Sequence, residues 1–94
     1  MKVADLRPGM DRVDLEVRVV EVSEPRTVRT RYGVARVADA VVEDDTGRVN
    51  MSLWNEQIDQ VAPGDVISIE NGYTTQFKGK VQVNVGRRGR IVKV

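Results

Sequence analysis

Cysteine and histidine are both missing from this 94-residue chain. Without cysteine there is no disulfide, no thiolate nucleophile and no Cys-based zinc site. Without histidine the usual metal ligand and the side chain best suited to acid–base work near neutral pH are gone as well. Carboxylates are the only general acids or bases left, so no catalytic residues, metal or cofactor are expected. No apolar run reaches membrane-spanning length and the N-terminus lacks a signal-peptide core, which predicts a soluble, cytoplasmic protein with no membrane partner. Aromatic residues are scarce, with one Trp, two Tyr and one Phe. A chain this short holds one modest core, so residues 1–94 are expected to form one domain.

What the chain has in quantity is valine, nineteen in all, and most of it alternates with polar residues as strands with one wet face require. After a lead-in ending at Pro8-Gly9, Val13, Leu15, Val17 and Val19 alternate with charged residues. The pattern slips at Val19-Val20 and resumes at Val22, the mark of a bulge in a long strand that bends. Residues 25 to 33 read as an Arg-rich loop after Ser23-Glu24-Pro25. A second strand spans Val34 to Val42, with its inward set open because Val37 and Val42 differ in parity. Asp44-Asp45-Thr46-Gly47 reads as a turn, not as a metal or catalytic pair, into a third strand, Val49 to Trp54. Asn55 is expected to cap one or two helical turns to Val61, and Pro63-Gly64-Asp65 leads to strand four. Strand five runs from Lys80 to Val85 with Val81, Val83 and Val85 inward. Gly86 to Gly89 is a basic turn lacking the Gly-Lys-Ser/Thr ending of a phosphate-binding loop, and residues 90 to 94 either close the barrel or pair at its edge.

Three of the four aromatics are placed unlike core residues. Alternation from Val49 through Met51 and Leu53 turns Trp54 outward, with Asn50 and Ser52. A Trp at a strand end can equally cap a core, and strict alternation from Ile67 and Ile69 would turn Tyr73 and Phe77 inward. Asn71-Gly72 resolves this if it is a bulge, since a bulge resets the parity of all that follows. Beyond it neither face looks buried, and the segment reads as a projecting hairpin tip. Lys78 and Lys80 follow Phe77 directly, the combination needed to stack unpaired bases beside a charged backbone.

The net charge of +1 conceals segregation. Residues 26 to 36 and 78 to 94 together hold ten of the fifteen basic residues and no acid, whereas residues 37 to 70 hold eight acids against Arg48 alone. A basic side and an acidic side follow, and the basic one suits a polyanion.

Five strands, a bent first strand and a short helix between strands three and four match the order of an oligonucleotide-binding (OB) fold, an all-β, five-stranded Greek-key barrel. The segments Val17-Arg18-Val19, Ser23-Glu24, Asp45-Thr46-Gly47-Arg48-Val49, Leu53-Trp54 and above all Ile69 to Gly79 resemble the archaeal, crenarchaeal-type single-OB single-stranded-DNA-binding proteins. More distantly they are similar to the short human single-strand DNA sensors. The resemblance runs from Lys2 to Ile91 and implies base stacking on Trp54, Tyr73 and Phe77. Tyr73 stands where the nearest archaeal relatives tend to have Trp, a smaller stacking face, and Asn84 where the human type has a further aromatic. Many relatives continue into a flexible tail thought to recruit replication and repair proteins, whereas this sequence stops at Val94.

The resulting expectation is a non-catalytic, monomeric, nucleoid-associated domain that binds single-stranded DNA with little sequence preference. Arg29, Arg31, Arg36, Lys78 and Lys80 would neutralise phosphates, and Asn50, Ser52 and Gln82 would reach base edges or sugars. Two alternatives stay open. One is an RNA-binding OB domain, since stacking ignores the 2′-OH. The other is an assembly adaptor whose protein partner covers the aromatics or docks on residues 37 to 70.

Overall fold

A computed structural model describes residues 1–94. Its strands are β1 (Val13–Val22), β2 (Arg26–Thr30), β3 (Gly33–Asp44), β4 (Gly47–Trp54), β5 (Val66–Phe77), β6 (Lys80–Asn84) and β7 (Arg90–Lys93). One short helix, α1 (Gln57–Gln60), lies between β4 and β5, and a 3-10 turn occupies Val3–Asp5. No helix is long and apolar enough to cross a membrane.

Hydrogen-bonded pairing runs β1-β3-β4-β6-β5, and β5 pairs in turn with β1, so the circuit closes on itself. Every contact around it is antiparallel except β4–β6, which is parallel and pairs at only two positions, Asn50 with Gln82 and Met51 with Val83. Long strands make the closure possible because each serves two neighbours. The first half of β1 pairs with β5 and the second with β3, and the register shifts between Val19 and Glu21, where the alternation slips in the sequence. β7 lies on the outer edge of β5 and closes nothing.

Inward alternation fills the circuit. Val13, Leu15, Val17 and Val19 of β1, Ala38, Ala40 and Val42 of β3, Met51 and Leu53 of β4, Ile67 and Ile69 of β5 and Val83 of β6 form one buried cluster. Val3 and Leu6 join it beside the start of β4, and Ile58 and Val61 just after its end, so the barrel is plugged at both mouths. The Asp44–Thr46 turn serves the first plug. Asp44 accepts from the Val3 N–H at 2.8 Å and from the Thr46 N–H at 2.7 Å. Burial pushes its carboxyl up, but these bonds, that from the Thr46 hydroxyl and the charge of Lys2 outweigh it and hold the value at about 2. These contacts give Asp44 a structural role.

Two expectations need correction. Residues 26 to 30 are not loop but strand β2, paired residue for residue with Gly33 to Val37 in a hairpin that extends β3 beyond the barrel. Asn55 does not cap α1. It takes a left-handed conformation, φ 52°, and its side chain accepts from the Arg36 N–H at 3.1 Å while its own N–H donates to the Arg36 carbonyl at 2.9 Å. The cap position falls on Glu56, with no side-chain cap bond.

Candidate nucleic-acid interface

Register assigns one outward face shared by β3, β4, β6 and β5. Side chains of directly paired residues emerge on the same side of a sheet. Trp54 is therefore beside Val37, Ser52 beside Asp39, Asn50 beside both Val41 and Gln82, Gln82 beside Thr75, Asn84 beside Tyr73, and Lys80 beside Phe77. Trp54, Tyr73 and Phe77 all belong to this face. Phe77 is 59% and Tyr73 42% exposed. Trp54 is half-buried, next to Val37, which is itself buried outside the main core cluster.

Tyr73 and Phe77 reach this face through the Asn71-Gly72 bulge. Asn71 has φ 55°, and pairing with β1 jumps from Leu15–Ile69 to Val13–Gly72. Ile67 and Ile69 point inward before the jump, Gly72 and Thr74 after it, leaving Tyr73, Thr75 and Phe77 outward. The segment is less free than its sequence suggests. Thr74 is buried, donating to the Arg7 carbonyl at 2.5 Å and accepting from the Met10 N–H at 2.8 Å, which ties the N-terminal lead-in to β5. Only the tip projects. It turns through Lys78 and Gly79 at φ 52° and 80°, two successive left-handed residues that suit the twist of a tight hairpin.

The face is braced from several sides. Gln57 accepts from the Trp54 N–H at 3.0 Å and donates to the Val85 carbonyl at 2.8 Å, joining the ends of β4 and β6 where their direct pairing has stopped. Gln82 donates to the Ser52 hydroxyl across the same junction. Asn84 donates to the Thr75 hydroxyl at 3.1 Å. Gly86 lies beside Tyr73, where an added Cβ would sit 3.4 Å from the ring, at the edge of ordinary contact. Of the expected polar contacts, Asn50 is exposed and free of side-chain hydrogen bonds, Gln82 is half-buried, and Ser52 is buried with its hydroxyl occupied.

Ion pairing sorts the cations. Lys78 and Lys80 have no acid partner and flank Phe77, the Lys78 ammonium lying 5.4 Å from the ring centroid. Arg29 and Arg31 are also unpaired, on the β2–β3 hairpin, but Arg29 lies on the pleat opposite that of Val37 and Trp54. Arg36 shares that opposite pleat and pairs with Asp59 at 3.3 Å, so it is withdrawn from the aromatics. Two cations outside the expected set belong with them. Arg87 and Arg88 are exposed, carry no ion pair and follow Gly86, the residue that lies beside the Tyr73 ring, and the Arg88 carbonyl accepts from the Asn71 side chain at 3.1 Å. Their signal in the sequence was a pair of arginines bounded by glycines. Charge segregation is incomplete on this face, because Asp39 lies on it, paired with Arg26 at 2.9 Å.

Closed pairing around five strands, with a half-exposed aromatic row on the β3–β4–β6–β5 face, defines the chain as an OB-fold protein. The family model for "Single-stranded DNA binding protein Ssb-like, OB fold" matches residues 6–93, and the chain belongs to that family. It is 44% identical over 92 residues to the single-stranded DNA binding protein Ssb of Saccharolobus solfataricus, covering 98% of this chain and 62% of that protein. It is 28% identical over 92 residues to Replication factor A of Methanothermobacter thermautotrophicus, covering 97% of this chain and 12% of that one. The chain thus spans less than two thirds of these relatives' length. Among solved structures, the OB domain of Ta0387 from Thermoplasma acidophilum superposes with a TM-score of 0.84 at 25% identity, over all of this chain and 85% of that one.

Proposed function

We propose that this domain binds single-stranded DNA without catalysing a reaction on it, in replication or repair. Bases stack on Trp54, Tyr73 and Phe77, and phosphates pass Lys78 and Lys80 at one end and Arg87 and Arg88 at the other. Arg29 and Arg31 reach the strand only where it meets the hairpin arm. The observation that carries this reading is the convergence of three aromatics on one outward face, flanked by cations free of acid partners. Aromatic faces stack on any base and free cations attract any phosphate, so affinity should depend weakly on sequence. Family membership and the name of the 44% identical Ssb support the same choice of ligand. The domain acts within the cell as a monomer in this reading.

Titration with short dT and rU oligomers, followed by Trp54 fluorescence, tests it. Binding should quench the emission with a site size of roughly 4 to 6 nucleotides, the low end for OB folds. Tight dT binding without any change in emission would place the groove elsewhere. Preference for rU would assign the domain to RNA.

A further inference from the structure

Asp39 is out of place on a face that attracts a polyanion. It lines an open recess of about 290 Å³ with Asn50, Phe77, Lys78, Lys80 and Gln82. Its backbone is fixed from both sides by Ser23, whose hydroxyl accepts from the Asp39 N–H at 2.9 Å and whose N–H donates to the Asp39 carbonyl at 2.8 Å. One carboxylate oxygen, Oδ2, accepts from Arg26 Nη1 at 2.9 Å. The other has no hydrogen bond within the protein, and neither has the Asn50 amide. The recess therefore offers an anchored, half-engaged carboxylate beside an exposed ring and two amide side chains.

We infer that this recess reads the exocyclic amino group of the base stacked on Phe77, giving the domain a preference for cytosine over uracil or thymine. The inference rests on the single-stranded DNA reading above. In this reading a base lies on the Phe77 ring with its Watson–Crick edge toward Asp39, which lines the same recess. An ionised carboxylate accepts hydrogen bonds and donates none, so it welcomes the cytosine N4 amino group and repels the O4 of uracil or thymine. Asn50, its amide free of hydrogen bonds, can turn either way and serve both kinds of edge, and the Gln82 amide is held by Ser52, so the discrimination belongs to Asp39. Lys78 and Lys80, in the same recess, offset the repulsion between this acid and the DNA backbone.

The test compares the affinities of short dC and dU oligomers for the wild-type protein, Asp39→Asn and Asp39→Ala at one salt concentration. The two bases differ at the pairing edge and not in a methyl group. Wild type should bind dC about fivefold more tightly than dU, the low end for one good base contact. Asp39→Ala should bring that ratio close to one, and Asp39→Asn should lower it while keeping the size of the side chain. Removing a negative charge strengthens binding of every oligomer alike, so the ratio and not the affinity is the readout. Equal wild-type binding of dC and dU, or a ratio unchanged in both variants, would overturn the inference while leaving the stacking site intact. Failure of both oligomers to bind would instead bring down the DNA reading and this inference together.

Discussion

Trp54 divides its surface between Val37 and solvent, and the two halves carry different costs. Trp54→Ala removes a stacking face, which should cost on the order of 1 to 3 kcal/mol in binding. It also uncovers Val37, so a smaller loss of folding stability should accompany it. Leu53→Ala, one residue away and fully buried, should show the reverse, losing about 2 to 5 kcal/mol of stability with binding retained while the protein stays folded. Thermal melts read beside dT titrations separate the two patterns. Alternation alone placed Trp54 outward. Its partial burial was not legible, because Val37 sits where β3 leaves the barrel and its parity conflicts with that of Val42. Asp44 makes a prediction of a different kind. A carboxyl held at about 2 contributes stability that is fully present above the ordinary carboxylate value of roughly 4 and is lost as pH falls through about 2. Melting temperature should fall across that window, and Asp44→Asn should be less stable at neutral pH and less sensitive to acid across it.

Strands with an apolar face were legible as elements, and β2 was not. Its residues, Arg26 to Thr30, include one aliphatic side chain, Val28, so no alternation marks them. Only pairing with β3 makes them a strand, and pairing is a property of two segments together. The bulge in β5 could be read because its signal is local, an Asn-Gly pair whose backbone tolerance is intrinsic. Asn71 is the residue that carries the strained angle, and its side chain also donates to the Arg88 carbonyl at 3.1 Å. Asn71→Val should therefore cost on the order of 1 to 3 kcal/mol of stability and weaken DNA binding as well, because Tyr73 and Phe77 depend on the parity it sets. Asn71→Gly tolerates the angle and should keep most of the binding. Denaturant unfolding and dT titration of the two variants give the comparison.

Across the whole molecule, seven of the fifteen basic side chains are engaged by acids. The acid-free runs in the sequence could not tell free cations from paired ones, since Arg26, Arg36, Arg90 and Lys93 within them all meet acids in the fold. Arg36 and Arg87 look alike in such a run, and only folding brings Asp59 to the first. If three or four phosphates are neutralised, log K should fall with log salt at a slope of about -2 to -3. Replacing Arg87 and Arg88 together by Glu should flatten that slope and weaken all sequences alike. Arg36→Glu, on the opposite pleat, should change it little. A salt series on the three proteins decides between these outcomes.

The parallel junction of β4 and β6 holds by two paired positions, against eight between β3 and β4. It joins segments about thirty residues apart in the chain, so it is the natural place for the barrel to breathe, opening locally while the rest stays folded. Asn50 and Gln82 face outward at that junction, beneath the aromatic row. A strand of DNA lying over them spans the joint and stabilises its closed form by mass action. The ligand then serves as the missing rungs of the ladder, and amide hydrogens of β4 and β6 should exchange more slowly when it is bound.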